Sequence, residues 1–146
     1  IIGDGSNLEN LKKKVNEEGI SNVIFWGRRS LKEMPQWFNG SDSLIISLTD
    51  EPIFELTVPA KFQAYLAAEK PIFCIMKGEV ASLVSDNKIG YVSKPNDIES
   101  IKKGFEKFID IPKDELQTFK VNMKHLLENE YNRDVIIQKK TEEIFF

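Results

Sequence analysis

Short apolar runs alternate along this chain with segments whose apolar residues recur every three or four positions. Ile1-Ile2 reads as the end of a strand. Ser6 and Glu9 have capping-box spacing. Leu8, Leu11 and Val15 then keep helical spacing, and Gly19 suits the stop. Val23–Trp26 reads as a second strand closed by Gly27. Leu31 to Phe38 reads as a short helix with Met34, Trp37 and Phe38 turned inward. Leu44–Leu48 is a third strand, and the loop Thr49–Thr57 follows it. Pro59 suits the first turn of a helix that continues through Phe62, Tyr65 and Leu66 to Ala68, because its missing N–H costs nothing there. Pro71–Met76 is a fourth strand, Val80–Val84 a short helix and Gly90–Val92 a small fifth strand. Asn96 is placed to cap a helix carrying Ile98, Ile101, Phe105, Phe108 and Ile109. Pro112 opens another, with Leu116, Phe119, Met123, Leu126 and Leu127 on one face. A last helical stretch is expected from about Asn132 to Phe146.

Strands that are apolar on both faces, each followed by a helix, imply a parallel sheet covered on both sides. The expected fold is α/β, a doubly wound Rossmann-like sheet with helices on both faces. Ligands in such folds bind beyond the carboxyl ends of the strands. This directs attention to Gly3–Ser6, Gly27–Ser30, Thr49–Pro59 and Lys77–Glu79. The expected domain is residues 1–130, with 131–146 as a separate terminal helix. Domains rarely begin in mid-strand, so Ile1-Ile2 suggests that further chain precedes it.

Composition narrows the function classes. The chain has 146 residues, enough for one core, and a net charge of −3. No basic stripe is present to meet a nucleic-acid backbone. The apolar runs are too short to span a bilayer, and no signal-peptide pattern opens the chain. The single cysteine, Cys74, cannot form an internal disulfide and reads as a small buried hydrophobe. The cytoplasm fits these features. No cluster has metal-ligand spacing, and no nucleophile elbow or Walker loop occurs. His125, the one histidine, lies in a helix far from the loops above.

The order of motifs resembles that of family 4 glycosyltransferases of the GT-B fold. Ile2–Ser6 resembles their strand, G-D-G, helix segment. Val23–Gly27 resembles the next strand, and Gly40–Ile46 their "ADV" strand entry. The most specific stretch, Val58–Ile72, is similar to their "VPSKLFEYLAAGKPII". Gly78-Glu79 matches a following "G-E", and Ile89–Val92 with Asn96-Asp97 matches the run before the closing helices. The resemblance covers about residues 1–130. It implies the C-terminal, donor-binding half of a bacterial two-domain enzyme, with the first strand–helix unit and the N-terminal domain absent.

The resemblance also implies site residues. Gly3 and Gly5 would line the first loop. Gly27, Arg28 and Arg29 would lie beside the nucleotide base, where an arginine face can stack. Glu51 and Glu55 would approach ribose and sugar. Thr57, Val58 and Lys61 would surround the diphosphate at the start of the Pro59 helix, whose amides and dipole favour an anion. Gly78 would permit close approach of main chain to the sugar. No catalytic residue is assigned. No cofactor or metal is expected, because dipoles and basic side chains offset the leaving diphosphate. The implied partners are a nucleotide-sugar donor, the absent N-terminal domain, and an acceptor glycan or lipid-linked glycan held by that domain. Any attachment to the inner membrane would be made through that domain. The implied reaction moves a hexose to an acceptor hydroxyl, with a role in surface polysaccharide synthesis, and the isolated chain is expected to be inactive. Ile144–Phe146 would then contact the absent domain.

Two departures stand out. The family has Glu at the position of Ala64, where it binds ribose hydroxyls, and Gly at the position of Glu69. Gln63 points about 100° away around a helix and is a poor substitute. A degenerate, non-catalytic module of the same fold is therefore the main alternative. A receiver-like domain lacks its clustered aspartates here, and a GT-B epimerase lacks its acid/base set.

Overall fold

The computed structural model describes residues 1–132 and Val135. Asn132 itself is irregular, and the rest of the expected terminal helix, including Ile144–Phe146, falls outside the described residues apart from Val135. The chain forms two compact units, Ile1–Trp37 and Phe38–Phe146. The division falls near the end of a short helix.

In the first unit, α1 (Leu8–Glu17) follows the Gly3–Ser6 loop. Its cap is Asn7 rather than Ser6, and no side chain bonds the open amides. Glu9 pairs with Lys12 at 2.8 Å instead of reaching back, so the expected capping box does not form. Gly19 has φ of +63° and ends the helix as expected, with the Ile20 amide donating to the Val15 carbonyl. Val23–Trp26 does not become a full strand. A single parallel bridge joins Ile2 to Gly27. The Trp26 amide donates to Ile1 and the Gly3 amide to Gly27. A 3-10 turn, Leu31–Glu33, leads into α2 (Met34–Asn39). The capping box is here, with Ser30 and Glu33 bonding each other's main-chain ends.

The second unit holds a parallel sheet of three strands, β1 (Leu44–Ser47), β2 (Ile72–Ile75) and β3 (Gly90–Ser93), in that order. Ile46 pairs in register with Cys74 and Cys74 with Val92. Parallel neighbours need crossovers. Between β1 and β2 run α3 (Pro52–Glu55) and α4 (Ala60–Ala67), and between β2 and β3 runs α5 (Glu79–Asp86). Then α6 (Ile98–Ile109) and α7 (Lys113–Glu130) close the chain. The Thr49–Thr57 loop thus contains one helical turn that hydrophobic spacing did not reveal. Pro59 is the residue before α4, in extended conformation, rather than its first residue.

The central strand explains the layering. Successive side chains of a strand point to opposite faces. Ile72 and Cys74 join a core with Phe62, Leu66, Val80, Val84, Phe119, Met123 and Leu126, from α4, α5 and α7. Phe73 points the other way, onto Phe105 and Phe108 of α6, with ring centroids 4.6 and 5.3 Å apart. Helices therefore cover both faces, as the apolar runs required. Cys74 is buried, and burial pushes its thiol up to about 12, which suits an inert core residue.

Two details of α6 differ from the sequence reading. Its cap is Asp97, whose carboxylate accepts from the Ser100 amide, while Asn96 takes a left-handed φ of +59°. Ile98 and Ile109, at its ends, are 80% and 77% exposed, because only its middle meets the sheet. That contact is close. A Cβ on Gly104 would overlap Ser93 Oγ and the Phe73 ring. Ser93 Oγ also donates to the Ser100 carbonyl at 2.9 Å.

Gly104→Ala tests this packing. In an open helix the change gains about 1 kcal/mol. Here overpacking costs about 1–3 kcal/mol. Urea unfolding is expected to show a net loss of stability; a gain would mean that α6 does not sit this close to β2.

Candidate functional site

The carboxyl ends of β1 and β2 carry most of the residues singled out by their position in the second unit. α4 runs back from that rim, so its first turn begins there. Among the described residues, the Ala60 and Lys61 amides have no intramolecular acceptor, and no side chain caps the helix. Thr57 does not plug this entrance. Its hydroxyl donates backward to the Ile53 carbonyl at 2.7 Å. Pro59 and Val58 are half-buried and direct the chain into the turn. The result is an amide-bearing end with a favourable dipole, open to an anion.

Lys61 sits in that first turn. It is half-buried, and among the described residues no hydrogen bond or ion pair holds it. Burial lowers its pKa below the usual lysine value, with the nearby Cys74 thiol opposing weakly. A lysine kept partly out of water without an acidic partner is destabilising until an anion arrives. Ala64, one turn on, is half-buried, and Gln63 is exposed, so neither supplies a carboxylate at this place.

The loop after β1 holds Glu51 and Glu55, both exposed, at the two ends of α3. The loop after β2 meets it. Gly78, with φ of +84°, lies against Glu55 so closely that a Cβ there would overlap the Glu55 main chain. Lys77 Nζ bonds Asp50 Oδ2 at 2.8 Å. Asp50 had no signal in the sequence, because its partner is 27 positions away.

The remaining candidates belong to the first unit. Gly3 and Gly27 are joined by a main-chain bond of 2.8 Å, and both have positive φ. Gly5 accepts from the Leu8 amide at the start of α1. Arg28 lies 3.6 Å from Asp4, both well exposed. Arg29 lies over the Trp37 ring, 5.7 Å from its centroid, so one face of its guanidinium already has an aromatic partner. The candidates thus gather into two sets, Gly3, Gly5, Gly27, Arg28 and Arg29 in one unit and Glu51, Glu55, Thr57, Val58, Lys61 and Gly78 in the other.

An open cavity of about 460 Å³ lies elsewhere, at the amino end of β3, lined by Lys88, Gly90, Tyr91, Glu115, Thr118 and Phe119. Burial and a hydrogen bond to Glu115 push Tyr91 up to about 12. This is the opposite rim from the one where open α/β sheets take ligands, and Asp114 and Glu115 place acidic side chains there, which disfavours an anion. The carboxyl rim is the stronger candidate on chemistry. His125 is exposed on α7. Among the described residues no three His, Cys, Asp or Glu side chains group as a metal site, and no helix is long and apolar enough to cross a membrane.

Comparison with known proteins agrees with the order of motifs. The probable glycosyltransferase WbjE of Pseudomonas aeruginosa is 25% identical over 141 residues, which is 95% of this chain and 34% of that protein. Two crystal structures of Anabaena Alr3699/HepE, one in complex with UDP and glucose and one with UDP-glucose, share the fold. Their TM-scores are 0.76 and 0.75 at 18% and 19% identity, over 98% of this chain and 39% of those chains. The chain thus spans little more than a third of the length of these relatives. The observed fold is that of a GT-B C-terminal domain, as the motifs implied. The family described as "Glycosyl transferases group 1" matches residues 1–126, and the chain belongs to that family.

Proposed function

We propose that this chain is the donor-binding domain of an enzyme that moves a hexose from a nucleoside-diphosphate sugar to an acceptor hydroxyl, in the assembly of a surface polysaccharide. One observation carries the reading: the open amides at the start of α4 with the partly desolvated, unpaired Lys61 in the same turn. Family membership and the likeness to HepE, whose structures contain UDP with glucose or UDP-glucose, support it. The diphosphate would lie on the α4 amides with Lys61 beside it, its charge met without a metal. Glu51, Glu55 and the Gly78 main chain would face the sugar. The acceptor glycan or lipid-linked glycan would be held by a separate N-terminal domain, so this chain alone would bind donor without turning it over.

Calorimetry of the intact protein with UDP, GDP and their sugars tests the reading. Lys61→Met is expected to weaken binding of the preferred nucleotide about tenfold to a hundredfold, the worth of a charge-assisted hydrogen bond. The same change is expected to stabilise the unliganded protein by only roughly 0.5 kcal/mol, because solvent screens a half-buried charge. The pH dependence follows from the lowered lysine pKa. Between the folded and unfolded values the unfolded chain binds more protons, so stability rises with pH there. The advantage of Lys61→Met is therefore full below the folded pKa and fades as pH climbs toward the unfolded lysine value of 10.5. Unchanged nucleotide affinity in Lys61→Met would remove the phosphate role.

A second reading has its own observation. Ala64 offers no carboxylate to ribose, which favours a degenerate transferase that binds nucleotide weakly or not at all. Ala64→Glu separates the two. Tighter donor binding and faster transfer in the variant are expected if the site is functional. Silence of both proteins with every donor would favour degeneracy.

A further inference from the structure

The segment after β1 is tied down at both ends of α3. Before the helix, Asp50 accepts a hydrogen bond from Lys77 at 2.8 Å. After it, the Glu55 main chain lies under Gly78, with no room for a side chain between them. Within the segment, the Phe54 amide donates to Glu51 at 2.9 Å and the Thr57 hydroxyl to Ile53 at 2.7 Å. The two exposed carboxylates, Glu51 and Glu55, therefore sit on one stiff turn whose anchors both come from the loop after β2.

We infer that Asp50 and Lys77, with the Gly78 contact, form a clamp that fixes the Glu51–Glu55 turn at the sugar end of the donor site. On this view they are positioning residues that separate a nucleotide-sugar from the bare nucleotide. The inference rests on the donor-site reading above. Three points favour a clamp over an incidental surface pair. Asp50 is the better buried partner, its side chain 26% exposed against 50% for Lys77, so the loop side of the pair is held in place. The hydrogen bond to Asp50 raises the Lys77 pKa above the usual lysine value. Exposed ion pairs add little to overall stability, so the effect of this one is local to the loop.

The alternative is that Lys77 itself grips the donor and Asp50 merely waits beside it. The two ideas part at Asp50→Asn. Freeing a donor-gripping lysine would leave nucleotide-sugar binding unchanged or tighter. Loosening a clamp would weaken it.

The test uses the intact protein, with UDP and UDP-glucose as calorimetric probes and hydrogen exchange of the 50–57 amides as a second readout. For Asp50→Asn and Lys77→Met, the expected result is UDP affinity within about twofold of wild type. UDP-glucose affinity is expected to fall about tenfold and the loop amides to exchange about tenfold faster. The charge swap Asp50→Lys with Lys77→Asp is expected to restore much of both. Asp50→Asn with unaltered loop exchange, or with an unaltered ratio of UDP-glucose to UDP affinity, overturns the clamp. If wild type binds neither probe, the UDP-sugar form of the donor-site reading fails, and the sugar-discriminating role inferred for the clamp is overturned with it. The exchange rates then still show whether the pair holds the loop. If Lys77→Met fails to fold, Asp50→Asn and the swap decide alone.

Discussion

Burial of β2 on both faces is the constraint from which the second unit follows. Ile72 and Cys74 need one apolar layer and Phe73 needs another, so no arrangement with one helical layer would serve. Such a strand sits between two others, and the parallel register forces each connection to cross back over the sheet. Every loop that leaves a strand then emerges at the same rim. The grouping of Glu51, Glu55, Thr57, Lys61 and Gly78 in one unit is thus a product of core packing. The chemistry occupies a rim that the hydrophobic layers created.

That rim is built against stability. α4 begins with bare amides and an unpaired, partly desolvated lysine, and the loop before it holds the four-residue α3 with exposed Ile53, followed by exposed Leu56. The core beneath is the opposite, with Phe62, Leu66 and Ile72 fully buried. The unmet charge and amides are what a ligand rather than the chain itself would satisfy.

Much of this was legible in the sequence, for reasons that can be stated residue by residue. Pro71–Met76 was recognisable because a strand buried on both faces carries a continuous apolar run; Leu44–Leu48 carries such a run too, although Ile45 on its second face is 44% exposed. The stop at Gly19 was recognisable because few other residues take that backbone. What escaped depends on partners distant along the chain. Val23–Trp26 has strand composition, yet the only pairing beside it is the single bridge of Ile2 to Gly27 among the described residues. Ser6 and Glu9 have capping-box spacing, but Glu9 bonds Lys12; Ser30 and Glu33, with the same spacing, form the box. The Asp50–Lys77 pair and the contact of Gly78 on Glu55 join separate crossovers, and local pattern carries no trace of either. Among the site candidates, those on the α4 turn follow from helix geometry, whereas Arg29 is engaged with Trp37 for reasons only coordinates supply.

Glu69 has a bearing on the evolution of this fold. It follows α4 with φ of +52°, a backbone state that disfavours every side chain relative to glycine by about 1–2 kcal/mol. The family segment that Val58–Ile72 resembles has glycine at this place. This chain therefore carries a small built-in burden at the far end of the same helix whose start faces the ligand rim. Glycine at this position would remove that load and leave more stability to offset changes at the rim itself.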